Sequence, residues 1–476
     1  MSQSKGFFKV VLDLLKTKGQ IFSPPAIVEQ MLDLCSFNDA NILKQKVIDN
    51  SCGDGAFLKI IVERIIKIAT DLNYAKIAIS KILENNIYGI EIDQNAFKNC
   101  YQNLESIRLN YQLPEIKWKL FNDNTLRIYA NFVNQFDLVI GNPPYVRIHH
   151  TNEDLKQFQF CQTGMSDLYI AFYEIGLKML KPSGKLCYIN PSSLFHSQAA
   201  RFLRQYIIKQ SLLNTVIDFG HKQLFNKITT YVAIVLLDFT KEQKVHFVNQ
   251  DQASYYLDYH DVVINHAWYF QNHLQLKRIL NCQPKMVVKN GVATLCDWFF
   301  INDFFQTIQS PYLVEITKAS TLKNVKIFFP YDQDFKLIAF KDFPLKIQKF
   351  LLAHQKQLSK RSLSDVRYWW SYGRTQAIRD LNHIKLSVNT LINDNIKSIK
   401  TKVITKGLVY SGLYVVVNSI KQAKEIETLI CSQIFIDYVK TLGKYKSGGY
   451  WTFNSQDLNK FISFYLEQSS IKKIKT

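Results

Sequence analysis

The first half of this sequence predicts an α/β fold built on a doubly wound, mostly parallel sheet. Between Lys46 and Phe239, short apolar runs alternate with stretches whose apolar residues recur at helical spacing. Several of the apolar runs also end in an acidic or amide side chain. Strand–helix alternation is typical of parallel sheets, and polar residues at the strand ends place a ligand crevice at one edge of the sheet.

The individual elements follow from this alternation. The predicted strands cover residues 46–51, 86–93, 115–123, 136–142, 185–193, 214–220 and 231–239. The predicted helices cover residues 56–72, 94–111 and 167–184, and the last of them is closed by Pro-Ser-Gly. Residues 1–19 carry Lys and Asp inside an apolar pattern, which predicts an amphipathic helix and not a secretory signal.

The alternation fades beyond about residue 245. We therefore expect two domains, residues 1–245 and residues 246–476, the second with a mixed α/β structure. Residues 246–476 hold 31 basic and 17 acidic side chains, a net charge of +14 out of +20 for the whole chain. A basic, aromatic-rich domain favours a polyanionic partner, most often nucleic acid, although a lysine-rich genome composition would also produce such a charge.

The cysteines and the hydropathy pattern narrow the compartment. The eight cysteines include no C-x-x-C pair, so the sequence predicts neither a zinc site nor a disulfide framework. No apolar run approaches the roughly 18 residues of a membrane span. We expect a cytoplasmic protein without a metal and without a membrane partner.

A glycine-rich turn follows the first predicted strand, in the segment VIDNSCGDGAFL. It places Asp49 at the strand end and Gly53 and Gly55 before a helix, so the backbone can approach a ligand closely. Glu91 and Asp123 end the next two strands, where carboxylates can accept from a ribose diol and from an exocyclic amine. The turn lacks the P-loop pattern, and these acids would repel phosphate. The sequence therefore predicts a cofactor with adenine and ribose but no phosphate, which describes S-adenosylmethionine.

A second polar strand end lies in the segment FDLVIGNPPYVR. The apolar run stops at Asn142, Pro143, Pro144 and Tyr145. Neither proline can donate to a sheet ladder, so the strand ends there in a stiff turn. Asn-Pro also marks plain turns, but here the turn would hold an amide and an aromatic ring beside the cofactor crevice.

Taken in order, these motifs resemble the gamma class of N6-adenine DNA methyltransferases, the TaqI-like group of restriction-modification systems. GQIFSPPAIVEQML resembles the motif before the glycine-rich turn, with Ser23-Pro24 in place of the usual Thr-Pro. DNSCGDGAFL resembles D-P-x-x-G-x-G-x-F-L, with Asn50 for Pro and Asp54 for Ser. The resemblance covers residues 19–239 approximately. It implies the Rossmann-like fold of S-adenosylmethionine-dependent methyltransferases, followed by a DNA-recognition domain.

The resemblance also implies how the cofactor is held. Ser23 and Pro24 would cap its methionine end, and Asp49, Gly53 and Gly55 would form the turn beneath it. Its ribose and adenine would meet the acidic strand ends and an aromatic ring; the residues concerned are Glu91, Asp123 and Phe172. Asn142 would border both the cofactor and the target base.

The resemblance further implies the chemistry of the proline turn. The nitrogen lone pair of adenine N6 is delocalised into the ring, so two acceptors at its protons would free it for attack. The Asn142 side-chain oxygen and the Pro143 carbonyl would serve, and Pro144 would keep them in place. Tyr145 and Phe225 would stack on the two faces of the target base. Such a base must first be flipped out of the duplex at a cost of a few kcal/mol.

The sequence leaves other substrates open. Asn-Pro-Pro-Tyr also occurs in ribosomal RNA methyltransferases and in release-factor glutamine methyltransferases, so an RNA or protein-amide N-methyltransferase is the alternative. A nucleic-acid-binding subunit that keeps the fold without activity is a third hypothesis. The basic second half favours DNA. Almost no chain precedes the cofactor motifs, so we expect no fused nuclease. We also expect a monomer on DNA and leave open a separate cognate restriction endonuclease as a partner.

Two basic segments of the second half are candidate DNA contacts. In KRSLSDVRYWWSYGRTQAIR, Arg374 and Arg379 are suited to bidentate contacts with base edges. A packed Trp pair with a solvated charged rim is the alternative interpretation. In GKYKSGGY, Lys444 and Lys446 precede the paired glycines Gly448 and Gly449, in a loop that could follow a DNA backbone or form a simple structural turn.

Overall fold

The computed structural model describes residues 23–149, 153–162, 165–222, 224–225, 231–271, 273–306, 311–363 and 365–474. The chain divides into two compact units, Met1–Gln271 and Asn272–Thr476. The helix predicted over residues 1–19 lies outside the described residues. Of the helices that the structure describes, none combines the length and the apolar character that crossing a bilayer requires.

The first unit alternates strands and helices. In chain order its strands are β1 (Val47–Asp49), β2 (Ile87–Ile90), β3 (Lys119–Phe121), β4 (Phe136–Gly141), β5 (Arg147–His149), β6 (Met165–Asp167), β7 (Leu180–Pro191), β8 (Leu213–Asp218), β9 (Val232–Leu237), β10 (Lys244–Val248), β11 (Ser254–Asp258), β12 (Val263–Ile264) and β13 (Ala267–Trp268). Its α-helices are α1 (Pro25–Leu34), α2 (Ala56–Asp71), α3 (Lys76–Asn86), α4 (Gln94–Asn110), α5 (Thr125–Ile128), α6 (Glu153–Lys156), α7 (Leu168–Met179), α8 (Arg201–Lys209) and α9 (Tyr259–Val262). Short 3-10 helices cover Ala40–Lys44, Tyr129–Phe132, Gln159–Cys161 and Ser192–Phe195.

Nine strands form one sheet in the order β11-β10-β8-β9-β7-β4-β1-β2-β3. The strands β7, β4, β1, β2 and β3 run parallel to one another. Strand β9 is antiparallel to both β7 and β8. The chain leaves β1 for β2 on one side and returns to β4 on the other side. The strand order therefore reverses between β1 and β4, which is where open α/β sheets bind ligands. The predicted fold class is confirmed.

Helices cover both faces of this sheet. Successive side chains of a strand point to opposite faces, and the burial follows that rule. Val47 and Leu138 belong to one apolar cluster, together with residues of α1, α2 and α4. Ile48 and Val139 belong to a second cluster, together with residues of α7 and α8. The sheet is thus the middle layer of a three-layer unit, and its core strands are apolar on both sides.

The first unit ends later than the sequence predicted. The expected boundary at residues 245/246 falls inside β10, which pairs in parallel with β8. β11 then pairs with β10 in antiparallel fashion, and Val245 and Phe247 are buried. The boundary near 245 is therefore corrected to Gln271, because backbone pairing carries the sheet past the point where the sequence alternation fades.

Two helix predictions also need correction. The helix predicted over 167–184 stops at Met179, since Leu180 already pairs with Phe136 across the sheet. The helix α3 was not predicted, because the polar residues Ser80 and Asn86 lie among its buried residues and interrupt its apolar pattern.

The second unit is a mixed α/β structure with smaller sheets. Its strands are β14 (Val287–Asn290), β15 (Leu313–Lys318), β16 (Asn324–Phe328), β17 (Lys385–Val388), β18 (Leu391–Ile392), β19 (Thr401–Ile404), β20 (Leu408–Tyr410), β21 (Leu413–Val416), β22 (Tyr445–Lys446) and β23 (Tyr450–Thr452). Its α-helices are α10 (His273–Asn281), α11 (Asp297–Phe300), α12 (Asp303–Gln306), α13 (Leu345–Ala353), α14 (Gln355–Leu358), α15 (Ile420–Ile430), α16 (Gln433–Thr441) and α17 (Ser455–Ile474). Short 3-10 helices cover Phe340–Asp342, Val366–Tyr368, Ile378–Asp380 and Ile396–Ser398.

The strands of the second unit form a four-stranded sheet (β14-β21-β17-β19) and two three-stranded sheets (β16-β15-β20 and β18-β23-β22). One core of this unit is strongly aromatic. Phe305 stacks on Phe328 with ring centroids 4.5 Å apart, and Phe304 stacks on Phe350 at 3.9 Å. Aromatic rings bury large areas each, so this core explains the high aromatic content of the second half.

Candidate active site

The glycine-rich turn leaves the carboxyl end of β1 and leads into α2. Gly53 has φ +57°, and a Cβ placed there would meet no heavy atom within 4 Å. Gly55 has φ +88° and is the residue before α2, where a Cβ would stand 2.8 Å from Cys100 Sγ on α4. Gly53 therefore opens space beside the turn, whereas Gly55 allows the helices to pack closely.

Two carboxylates are buried beside this turn. Glu91 is 9% exposed and accepts hydrogen bonds from the backbone N–H groups of Gly53 (2.8 Å) and Asp93 (2.7 Å). Asp49 is 1% exposed and accepts from the N–H of Ser51 at 3.0 Å. In the part of the chain that the structure describes, no Lys or Arg forms an ion pair with either carboxylate.

Burial dominates the electrostatics of both acids. It raises the pKa of Asp49 to about 8, against the opposing hydrogen bond from Ser51 and with a further contribution from the charge of Glu91. Burial also raises the pKa of Glu91, although the backbone hydrogen bonds from Asp93 and Gly53 oppose it. A buried carboxylate without a cationic partner is costly, so the site is electrostatically prepared for a positively charged ligand.

The proline turn at the end of β4 lies against the glycine-rich turn. The hydroxyl of Ser51 donates to the main-chain carbonyl of Asn142 at 3.4 Å. The Asn142 side-chain Nδ2 donates to the hydroxyl of Ser23 at 3.4 Å. Three segments that are far apart in the sequence therefore meet at Asn142.

Glycine at position 141 makes this approach possible. A Cβ on Gly141 would stand 2.6 Å from Oδ1 of Asp49, which is closer than any side chain can tolerate. Gly141 and Ser51 were not singled out from the sequence. The available signal was their position, directly before the Asn-Pro-Pro-Tyr turn and directly after the β1 turn begins.

Tyr145 is held by its hydroxyl. It is half-buried and donates to the carbonyl of Ile189 on β7 at 3.0 Å. Its ring also meets Tyr169 edge-on, with centroids 6.4 Å apart. Phe225 is 5% exposed and belongs to an apolar cluster against which Tyr145 also packs. The two aromatic residues predicted to enclose a base are thus associated with one cluster, but Phe225 is covered in this state.

The remaining predicted cofactor residues lie after β3, inside α7 and before α1. Asp123 is exposed after β3, and its Oδ1 accepts from the N–H of the next residue at 2.6 Å. Phe172 is buried in α7, and Pro24 precedes α1, where its carbonyl accepts from Ile27 at 2.9 Å. Pro143 is buried and Pro144 is half-buried, so both prolines are part of the packed turn.

Asn50 takes a structural role that the motif alone did not indicate. It is fully buried, and its Oδ1 accepts from the hydroxyl of Tyr188 at 3.0 Å. Its main-chain carbonyl accepts from the hydroxyl of Thr125 at 2.6 Å. Where the resembled family has proline, this chain uses an amide that ties β1 to β7.

The second unit separates the four candidate DNA contacts. The side chains of Arg374 and Arg379 are exposed and, within the described residues, bind no other group. Lys446 is exposed on the β22–β23 hairpin. Lys444 instead forms an ion pair with Asp457 at 2.5 Å, and the two side chains are only 20% and 8% exposed. The expected DNA contact by Lys444 is therefore corrected to a structural ion pair.

The Trp pair near Arg374 belongs to the core. Trp369 and Trp370 are each 8% exposed, and the Trp370 indole donates to the carbonyl of Ile338 at 3.0 Å. Arg361 donates to the carbonyl of Trp369 and lies over the ring of Phe300. The alternative interpretation of a packed Trp pair with a charged rim is thus correct for the tryptophans.

Comparisons with known proteins bear on the first unit most directly. The family model described as Eco57I restriction-modification methylase matches residues 71–225. The type II methyltransferase M.BstVI of Geobacillus stearothermophilus is 29% identical over 236 residues, which are 46% of this chain and 42% of that protein. The type II restriction enzyme and methyltransferase RM.Eco57I of Escherichia coli is 23% identical over 466 residues, covering 75% of this chain and 47% of that protein. The chain therefore spans about half the length of these curated relatives.

Solved structures share the fold over most of the chain. The type IIL restriction-modification enzyme MmeI in complex with DNA aligns with a TM-score of 0.61 at 13% identity, over 94% of this chain and 66% of MmeI. A nuclease-deletion mutant of the type ISP enzyme LlaGI, in complex with a DNA substrate mimic, aligns with a TM-score of 0.55 at 12% identity, over 97% of this chain and 56% of LlaGI. At this identity the likeness concerns the fold alone. The family and sequence matches confirm the resemblance to restriction-modification methyltransferases.

Proposed function

We propose that this chain transfers a methyl group from S-adenosylmethionine to N6 of an adenine flipped out of duplex DNA. The observation that carries the proposal is the meeting of three segments at Asn142. Ser23 from the segment before α1 and Ser51 from the glycine-rich turn both hydrogen-bond to this residue. A target amine held by Asn142 would therefore lie beside the cofactor turn.

The residues of the crevice fit S-adenosylmethionine. The open side of Gly53 leaves room for a ligand against the turn. The buried carboxyl groups of Asp49 and Glu91 suit a hydroxyl-bearing molecule, and a cationic ligand would favour their ionised forms whereas a phosphate would not. Each Glu91 oxygen that accepts a backbone N–H keeps a second lone pair, which can accept from a ribose hydroxyl. When bound, S-adenosylmethionine supplies an electrophilic methyl group on a positively charged sulfur.

Asn142 and Pro143 would act on the amine of the target base. The side-chain oxygen of Asn142 and the carbonyl of Pro143 would accept hydrogen bonds from the two N–H groups of the amine, which favours a nitrogen with a free lone pair. Because Pro143 and Pro144 fix the turn, the acceptors are in place before the base arrives. The positively charged nitrogen that results from methyl transfer would then lose its proton to solvent water, so no carboxylate base is required.

Two aromatic side chains would hold the base. Tyr145 is anchored through its hydroxyl to Ile189, so its ring keeps a fixed orientation. Phe225 would pack on the opposite face, for which it must leave its buried position or receive the base within that cluster. Stacking on aromatic side chains typically contributes ~1–3 kcal/mol per base, which helps to offset the cost of flipping.

We further propose duplex DNA as the partner and the cytoplasm as the compartment. The net charge of +14 in residues 246–476 supports a polyanion, and all eight cysteines are unpaired thiols, which fits a reducing environment. Relatives that are named as methyltransferases of restriction systems support DNA over RNA or a protein amide. A separate cognate endonuclease and a monomeric state on DNA belong to the same proposal.

The decisive experiment measures methyl transfer with Asn142→Ala. Purified wild-type protein is incubated with labelled S-adenosylmethionine in three separate reactions, which contain duplex DNA, RNA or protein. N6-methyladenine in the DNA is then located by sequencing. Wild type is expected to label DNA, and Asn142→Ala is expected to lose transfer while DNA affinity stays largely unchanged. Normal turnover by Asn142→Ala would refute the mechanism, and labelling of RNA or protein instead of DNA would refute the substrate.

A matched control keeps this result specific. Asn131→Ala removes the same carboxamide from an exposed position on the short helix before β4, at the opposite end of that strand from Asn142. It is expected to retain both transfer and DNA binding. Equal losses in Asn131→Ala and Asn142→Ala would show that the assay reports folding and not the amide at the crevice.

A further inference from the structure

The surface segment from Arg374 to Arg379 is held rigidly at both ends. On one side Tyr372 is 3% exposed; its hydroxyl donates to the carbonyl of Phe328 at 2.7 Å, and its N–H donates to the hydroxyl of Tyr331 at 2.8 Å. On the other side Ala377 and Ile378 are 4% and 3% exposed. Between these anchors the chain is short, so its backbone has little freedom to rearrange.

Backbone contacts fix the tip as well. The N–H of Arg374 donates to the carbonyl of Ala293 at 3.0 Å in an isolated antiparallel bridge. The N–H of Ile378 donates to the carbonyl of Thr375 at 3.1 Å and closes a turn. Gly373 packs on Leu295 so closely that a Cβ would stand 2.4 Å from that side chain. The segment is therefore presented on a fixed backbone and not on a flexible loop.

The side chains that this backbone exposes suit the edges of base pairs. Arg374, Thr375, Gln376 and Arg379 are all exposed. Arginine can donate in bidentate fashion to guanine O6 and N7, glutamine can pair with adenine N6 and N7, and threonine can contact either type. Such contacts require a well-defined orientation, which the anchored backbone supplies.

The charge of this segment is compatible with DNA because the one acid within it is buried. From Val366 to His383 the sequence contains a single carboxylate, Asp380. Asp380 is 4% exposed and accepts from Lys289 Nζ at 2.7 Å and from the hydroxyl of Tyr414 at 2.6 Å. Burial acts to raise its pKa, but the hydrogen bonds from Lys289 and Tyr414 outweigh it and hold the pKa below its usual value. Within residues 366–383 the segment therefore presents exposed guanidinium groups and no exposed carboxylate of its own.

From these contacts we infer that Arg374, Gln376 and Arg379 read base edges in the recognised DNA sequence and so determine specificity. The inference rests on the proposed function for its substrate, duplex DNA. The inference goes beyond the proposed function by assigning sequence discrimination to one segment of the second unit. The ion-paired Lys444 and the core tryptophans take no part in this recognition.

The test separates base reading from phosphate contact. The full chain, without added cofactor, selects duplexes from a random library, and the enriched motif is compared among wild type, Arg374→Lys, Gln376→Ala and Arg379→Lys. Lysine keeps the positive charge but cannot make the bidentate contact. Each variant is expected to lose discrimination at one motif position, by roughly 5- to 150-fold, while its affinity for unrelated duplex changes little.

Controls and outcomes decide the matter. Arg367→Lys is the matched control, since Arg367 is 84% exposed but ion-paired with Asp365; its motif is expected to equal that of wild type. Unaltered motifs in all three variants, or weakening that is equal for every sequence, would overturn the inference, because both describe phosphate contacts or no contact. Melting temperatures confirm that the variants fold. Because selection needs no methyl transfer, a catalytically silent protein that still enriches a motif would refute the proposed function and leave this inference standing.

Discussion

Cofactor binding is expected to release a proton from Asp49, whose carboxyl group is protonated in the cofactor-free protein at neutral pH. The carboxyl is 1% exposed, and burial raises its pKa to about 8 against the hydrogen bond from Ser51. At pH 7, one unit below this value, about 0.9 of the molecules carry the proton. S-adenosylmethionine brings a sulfonium and an ammonium group, and a nearby positive charge favours the carboxylate. The ligand therefore binds the ionised form better.

The number of protons released on cofactor binding follows from the same pKa. If the bound-state pKa falls below about 6, each cofactor bound at pH 7 releases about 0.9 proton, and at pH 9 only about 0.1. The ionised fraction rises from about one in eleven at pH 7 to about ten in eleven at pH 9. The contribution of Asp49 to the apparent affinity is therefore expected to rise about tenfold across this range; it is taken from the difference between wild type and Asp49→Asn, because the ammonium group of the cofactor also titrates there.

Titration calorimetry in buffers of different ionisation enthalpy counts these protons directly. Asp49→Asn keeps the shape of the side chain but cannot titrate, so its proton release and its affinity gradient are expected to fall sharply. Glu91→Gln is the companion variant, because burial raises the pKa of Glu91 as well. The reasoning would be refuted if wild type released no proton at pH 7, or if Asp49→Asn released as many as wild type.

Three further predictions concern stability and DNA binding. Gly53→Ala is expected to lower the free energy of unfolding by about 1–2 kcal/mol, because an alanine is strained in the left-handed backbone conformation. Gly55→Ala is expected to lower it distinctly more, because its methyl group would also stand 2.8 Å from the Cys100 thiol on the packed helix. Chemical denaturation measures both losses, and equal losses would contradict the close approach of that thiol. Burial lowers the pKa of Lys385 from 10.5 to about 8. Between these two pH values the unfolded state binds more protons than the folded state, so the free energy of unfolding should rise with pH. Lys385→Met should flatten this rise when unfolding is measured as a function of pH, and an unchanged slope would disprove the assignment. Lys444→Ala should lower the melting temperature, because it breaks the buried ion pair with Asp457. Lys446→Ala should leave the melting temperature unchanged and weaken salt-dependent DNA binding, because Lys446 is exposed. The reverse pattern would contradict the roles given to the two lysines.

Local patterns predicted the strands of the large sheet except β10 and β11. The alternation of apolar runs and helical stretches predicted each of β1, β2, β3, β4, β7, β8 and β9 to within a few residues. Strand ends were identifiable because Asp49, Glu91 and Asn142 interrupt apolar runs, and parallel strands bring such ends to one edge. This is why the crevice, the cofactor class and the resemblance could be reached from the sequence alone.

Contacts between distant residues decided the rest. Lys444 and Lys446 are two positions apart and alike in sequence, yet only Lys444 meets a buried carboxylate, 13 residues further along the chain. The hydrogen bond between Ser23 and Asn142 spans 119 positions, and no local pattern encodes it. The end of the first unit at Gln271 depends on the pairing of β10 with β8, which cannot be predicted from composition.

The sequence by itself thus determined the order of the strands' polar ends, the stiff proline turn and the basic second half, because periodicity, proline geometry and charge are properties of neighbouring residues. The tertiary structure alone decided which of those side chains are available. Burial raised the pKa of Asp49, covered Phe225, occupied Lys444 with Asp457 and left Arg374 free on a fixed backbone. The physical reason is that desolvation and partner choice depend on every segment packed around a group, and those segments come together only when the chain folds.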